Sequence, residues 1–232
     1  MCGIVGYTGR DNARDIIIDG LKKLEYRGYD SAGIALLMDG KINIKKHVGG
    51  IENLENLIAG ENLYSHTGIG HTRWATHGAP SDINAHPHAS EDGRVAIVHN
   101  GIIENYVELK EELISHYGVH FKSETDSEVV AHLIGLYMKE SDCLEDAVYK
   151  AMGRMRGAYA IVAISADDPD KLVAVRKDAP LIAGLGKGSN FIASDIPALL
   201  KYVKEIYLIE NGEMVVVTPD SVKIFDENRK TV

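Results

Sequence analysis

Tyr159-Ala160-Ile161-Val162-Ala163-Ile164 is an apolar run of strand length, and shorter runs of the same kind follow at 172–176, 181–185, 191–193, 206–208, 213–217 and 221–225. No helix-length segment separates them, so they read as a meander of antiparallel strands rather than parallel strands joined by crossovers. Upstream of Gly157 the texture changes. Helices read over 12–24, 51–58, 106–117, from 123 to about 138, and over 144–155. Ile16, Ile17, Leu21 and Leu24 share one face of the first, with Asp11 or Asn12 as its cap. Strands read over 2–7, 34–38, 41–46, 67–75 and 95–98, and Asp39-Gly40 marks a hairpin between two of them. Ser123, Thr125 and the acids around them are natural caps for the helix that follows. Strands and helices each bury one face, and the layered solution is sheet on sheet with helices outside. The fold class is therefore α+β, in one domain.

Composition bounds what such a domain does. Hydrophobic residues are 45% and charged residues 25% of the 232, enough for a real core. A net charge of −9 argues against nucleic acid or an anionic membrane as partner. The two cysteines, Cys2 and Cys143, have no framework spacing, which fits a reducing, cytoplasmic compartment. No secretory signal and no membrane-length apolar run is read. The ending Arg229-Lys230-Thr231-Val232, just after a strand, reads as a cut between domains of a longer protein.

Chemistry concentrates in a few places. If Met1 is removed, Cys2 carries a thiol and an α-amine together. That amine titrates near ~7.7–8.0 and takes the thiol proton without a histidine. The plain alternative is a small buried residue on a first strand. Asn100-Gly101 is on its own a hairpin signal; the other reading is a pair of donors for an oxyanion. Arg73, between Thr72 and Trp74, suits a bidentate grip on a carboxylate. Asp126 is either a helix cap or an acceptor for an ammonium group. A carboxylate clamp and an ammonium acceptor together describe an α-amino-acid site. His71, His77, His86, His88 and His99 lack metal-binding spacing, and His86 and His88 read as loop hydrogen-bonders. Gly184-Leu185-Gly186-Lys187-Gly188 lacks phosphate-loop spacing and reads as a turn.

Five strings occur in order: Cys2-Gly3-Ile4-Val5-Gly6, Arg27-Gly28-Tyr29-Asp30-Ser31-Ala32-Gly33, His71-Thr72-Arg73-Trp74-Ala75-Thr76-His77-Gly78, His99-Asn100-Gly101 and Glu124-Thr125-Asp126-Ser127-Glu128. From Cys2 to about Phe225 the chain resembles the glutaminase domain of the class II (N-terminal nucleophile) glutamine amidotransferases. Arg73-Trp74-Ala75-Thr76-His77 and Tyr29-Asp30-Ser31 favour the amino-sugar-forming branch over purine-pathway amidotransferases and asparagine synthetases. The resemblance implies a four-layer αββα sandwich of two antiparallel sheets, of the N-terminal nucleophile hydrolase type. It implies Cys2 as nucleophile with its own amine as base, and Asn100 with the Gly101 N–H as oxyanion donors. It implies Arg73 on the glutamine α-carboxylate, helped by Thr76 and His77, and Asp126 on the α-ammonium. Trp74 would lie near the ammonia exit, and Arg27 would support the surroundings of the nucleophile. Residues 1–232 would be the glutaminase domain of an enzyme whose downstream sugar-phosphate isomerase region receives the ammonia, as a homo-oligomer in its full-length form. No cofactor and no metal is called for. Two rivals stay open: a silent glutamine-binding regulatory module if Met1 is retained, and an N-terminal nucleophile hydrolase of another amide.

Overall fold

Strands buried on both faces set the architecture. The structure is a computed structural model describing residues 2–75 and 78–232; Met1, Thr76 and His77 lie outside the described residues. The first half runs β1 (Gly3–Gly9), α1 (Ala13–Lys22), β2 (Ser31–Met38), β3 (Lys41–Val48), α2 (Ile51–Leu57), β4 (Thr67–Arg73), β5 (His88–Ala89) and β6 (Val95–Ile103). Three helices follow: α3 (Tyr106–Tyr117), α4 (Glu128–Met138) and α5 (Leu144–Met152). The remainder is β7 (Gly157–Ser165), β8 (Asp168–Lys177), β9 (Ile182–Leu185), β10 (Ser189–Ala193), β11 (Glu205–Leu208), β12 (Met214–Thr218) and β13 (Ser221–Phe225).

Among the described residues these strands form two sheets, ordered β11-β9-β10-β1-β4-β2-β3 and β13-β12-β8-β7-β6-β5. Pairing between neighbouring strands is antiparallel throughout. Side chains alternate across each strand and so supply two cores. On β6 and β7, Ala96, Val98, Ala160 and Val162 face the other sheet. Their neighbours Val95, Ile97, Ile161 and Ala163 face α3, α4 and α5. On the first sheet Ile4, Ala35 and Ile69 point between the sheets, while Val5, Ile34 and Leu36 pack on α1 and α2. The layers are helix, sheet, sheet, helix, as the α+β reading requires. At the β2–β3 hairpin Asp39 and Gly40 both take positive φ, 50° and 69°, the turn whose twist suits paired strands.

Local details depart from the sequence reading. The strands after Gly157 are not one meander: β9, β10 and β11 join β1, whereas β7, β8, β12 and β13 join β6. Asn100-Gly101 is not a turn, because β6 continues through it to Ile103, with Asn100 opposite Ala160 and Gly101 opposite Tyr159. The strand at 67–75 stops at Arg73. The backbone N–H of Trp74 turns to the Cys2 sulfur and that of Ala75 to the Asp30 carboxylate. The fourth helix starts at Glu128, and Ser127 makes no side-chain cap. Asn12 precedes α1 without capping it; its Oδ1 accepts from the Ser65 N–H at 3.2 Å.

Candidate active site

Register brings the first three motifs to one end of β1, β4 and β2. Gly3 pairs with Thr72, which sets Cys2 beside Arg73, and Ser31 pairs with Arg73 from the other side. The Trp74 N–H lies 3.2 Å from the Cys2 sulfur and donates to it. The second sheet closes the site from below: Asn100 Nδ2 donates to the Cys2 carbonyl oxygen at 3.1 Å. A cavity of about 550 Å³ opens there, lined by Cys2, Arg27, Arg73, Trp74, Asn100, Gly101 and Asp126, among others. The sequence-derived candidates within the described residues thus line one space, from both sheets and the loop before α4. Thr76 and His77 lie outside the described residues.

Each group is held in a definite way. Burial pushes the Cys2 thiol up, opposed in part by the Trp74 N–H. A thiol so placed is protonated at neutral pH and needs a base to become a nucleophile. Arg73 is buried; one guanidinium nitrogen donates to the Gly78 carbonyl at 2.9 Å and another lies 3.8 Å from Asp30. Arg27 reaches the Ser194 carbonyl and the Asp195 carboxylate, each at 3.3 Å. Asp126 Oδ2 accepts from the Ile103 N–H at 2.8 Å. Gly101 has φ 127°, and a Cβ there would run into the Ala158 carbonyl, so the backbone lies bare at the cavity wall.

The comparisons with known proteins fit this geometry. The glutamine amidotransferase domain family matches residues 71–201, more than half of the chain. The chain belongs to that family. The glutamine–fructose-6-phosphate aminotransferase (isomerizing) of Clostridium perfringens is 55% identical over 232 residues, and that of Aquifex aeolicus 54% over 226. This amidotransferase domain spans 38% of the length of those two relatives. A solved structure of glutamine phosphoribosylpyrophosphate amidotransferase from B. subtilis, in complex with ADP and GMP, superposes with a TM-score of 0.82. It is 27% identical, over 99% of this chain and 50% of that one.

Residues to which sequence reasoning gave no role also shape the candidate site. Asp30 ties down the segment after β4: its N–H donates to the Arg73 carbonyl at 2.7 Å and its carboxylate accepts from Ala75 N–H and Ser31 Oγ. Lys46 donates to the Ile83, Ala85 and Pro87 carbonyls at 3.0, 2.7 and 3.3 Å, fixing the loop that carries His86. Burial lowers that ammonium to about 8. Glu128 accepts from the Lys122 and Ser123 N–H groups, the Ser123 hydroxyl and His132, and so shapes the loop holding Asp126. Asp30 and Glu128 stand inside motifs quoted from the sequence, so the signal was present without a role attached. His86 is a loop hydrogen-bonder as read, its Nδ1 accepting from the His99 N–H, whereas His88 bonds from strand β5 and not from a loop, its Nε2 meeting Thr125 Oγ1.

Proposed function

We propose that this domain hydrolyses the side-chain amide of L-glutamine, and that the ammonia serves conversion of fructose 6-phosphate to glucosamine 6-phosphate in a longer, cytoplasmic enzyme. The observation that carries it is the convergence of Cys2, Arg73, Asn100, Gly101 and Asp126 on one cavity, in a chain of the amidotransferase family. Arg73 would grip the α-carboxylate, with Thr76 and His77, and Asp126 the α-ammonium. Cys2 Sγ then attacks the amide carbon, and its proton passes to the α-amine freed by loss of Met1. The Asn100 amide and the Gly101 N–H stabilise the oxyanion. The carbon–nitrogen bond breaks as the amine returns its proton to the leaving nitrogen, giving ammonia and a γ-glutamyl thioester. Water cleaves the thioester, releasing glutamate and restoring the thiol. Trp74 would lie near the ammonia exit, and Arg27 would support the surroundings of the nucleophile. A downstream region of that longer enzyme would carry the sugar-phosphate isomerase chemistry, and the full-length form would assemble as a homo-oligomer.

The test is release of ammonia and glutamate by chain whose intact mass shows loss of Met1. Equimolar products, absent in Cys2→Ala, support the reading; undiminished release by Cys2→Ala overturns it. Chain that keeps Met1 has no amine at Cys2 and should bind glutamine with little turnover. The isolated domain should make no glucosamine 6-phosphate from fructose 6-phosphate.

A further inference from the structure

Asparagine is an awkward oxyanion donor, because its amide oxygen and nitrogen are nearly the same size. Flipped by half a turn, Asn100 would aim an acceptor at the developing negative charge. Two contacts oppose the flip. Nδ2 donates to the Cys2 carbonyl, and Oδ1 lies 2.9 Å from His71 Nε2. The second contact orients the amide only if His71 is a donor at that nitrogen. Its surroundings settle this: the same Nε2 lies 3.1 Å from the His99 carbonyl, which can only accept. Nε2 therefore carries hydrogen. Nδ1 has no partner among the described residues, as suits a bare lone pair, which costs less to bury than an unpaired N–H. The ring is stacked on His86, with centroids 4.2 Å apart and planes within 19°. His86 is pinned in turn by accepting the His99 N–H. Burial keeps the His71 ring neutral, down to about 3. His71 sits on β4 opposite Ile4 and Gly33, beneath the cavity and not in its wall.

We propose that His71 is a positioning residue for the oxyanion site: the His99 carbonyl fixes its tautomer, the tautomer fixes the Asn100 amide, and the second Nδ2 hydrogen is thereby turned to the reacting oxygen. The inference rests on the oxyanion role of Asn100 given above. It accounts for a histidine that touches no substrate and yet sits in the same string as Arg73.

The experiment compares His71→Phe, His71→Gln, Asn100→Ala and the double variant His71→Phe/Asn100→Ala in glutamine hydrolysis, on chain lacking Met1. Losing an oxyanion donor outright costs ~10²–10³ in turnover, and a misoriented donor should cost less. His71→Phe is expected to lower kcat roughly 10- to 100-fold with KM within about twofold. His71→Gln, which offers an N–H at the same reach, should recover most of the loss. In the Asn100→Ala background His71→Phe should cost nothing more. Full kcat in His71→Phe, or losses that multiply in the double variant, overturns the inference while leaving the oxyanion reading intact. Full kcat in Asn100→Ala overturns the oxyanion reading and the inference with it. Should His71→Phe fail to fold, nitrogen-15 spectra of the unaltered chain decide: they should show Nε2 protonated and Nδ1 bare across pH 5 to 8. A proton on Nδ1 in that range overturns it.

Discussion

Gly101 keeps its place in a continuous ladder at φ 127°, with the Ala158 carbonyl where a side chain would begin. The residue beside it gives the sharpest kinetic expectation. On the proposed mechanism Asn100→Ala removes one oxyanion donor and leaves Arg73 and Asp126 in place. Turnover should fall ~10²–10³, about 2.7–4 kcal/mol, with KM for glutamine nearly unchanged. Steady-state hydrolysis checks this, and a large KM rise at constant kcat would contradict the assignment. Gly28 makes a second residue-scale case. It adopts φ 93° and ψ 154°, a region open almost only to glycine, and the Trp74 ring occupies the space a Cβ would need. Gly28→Ala should cost about 1–3 kcal/mol from backbone strain and push the indole aside. Trp74 is the chain's single tryptophan, so its emission reports the displacement directly. An unchanged emission maximum would show that the ring does not depend on that glycine.

Among the elements, β4 and the loop before α4 do most to assemble the site. β4 lies between β1 and β2, and that placement sets Cys2, Ser31 and Arg73 together at one end of the three strands. The loop is shaped by the buried Glu128 carboxylate, which accepts from Lys122 N–H at 2.9 Å and from Ser123 N–H and Oγ at 2.6 Å. Burial raises its proton affinity, but these donors and His132 outweigh burial and hold it at about 2. Glu128→Ala strands several buried donors and should cost about 3–5 kcal/mol. At ~2–4 °C per kcal/mol for a chain of this size, Tm should drop by roughly 10 °C. KM should rise as Asp126 loses its frame. A Tm within a degree or two of the unaltered chain would show the loop is held otherwise. The same loop shows what a sequence conceals. Ser123 and Thr125 look like caps by type, yet their hydroxyls meet each other, and Ser127 Oγ meets His99 Nδ1 at 2.8 Å. Asp39-Gly40 was legible because a two-residue turn is decided locally. Asn100-Gly101 carries the same local signal but is overruled by pairing with β7, some sixty positions downstream. For the same reason the strand runs after Gly157 were visible while their division between two sheets was not.

Across the whole molecule, a layer of imidazoles gathers about β5 and β6, and no spacing in the sequence announces it, since it joins β4, β5, β6 and the loop before β5. Burial drives His71, His86, His88 and His99 below the ordinary histidine range; for His99 it is opposed by Asp126. The sign follows from linkage. A histidine with a depressed folded pKa binds its proton more readily in the unfolded chain, so stability falls as pH drops below ~6.5. Each such group steepens the dependence by on the order of 1.4 kcal/mol per pH unit until its folded pKa is reached. Four acting together should remove about 3–5 kcal/mol between pH 7 and pH 5.5, a large share of a typical ~5–15 kcal/mol. Glu128 stays out of that window. Its depressed carboxylate contributes fully above ~4.3 and loses its contribution only as pH falls towards about 2. Urea unfolding at pH 7.0, 6.25 and 5.5 should give a falling free energy at nearly constant m-value. Calorimetry in buffers of different ionisation heat should register uptake of about three protons on unfolding near pH 5.5. A flat free energy from pH 7 to 5.5, with the first loss appearing below pH 4.5, would mean the carboxylates and not the imidazole layer set the acid limit.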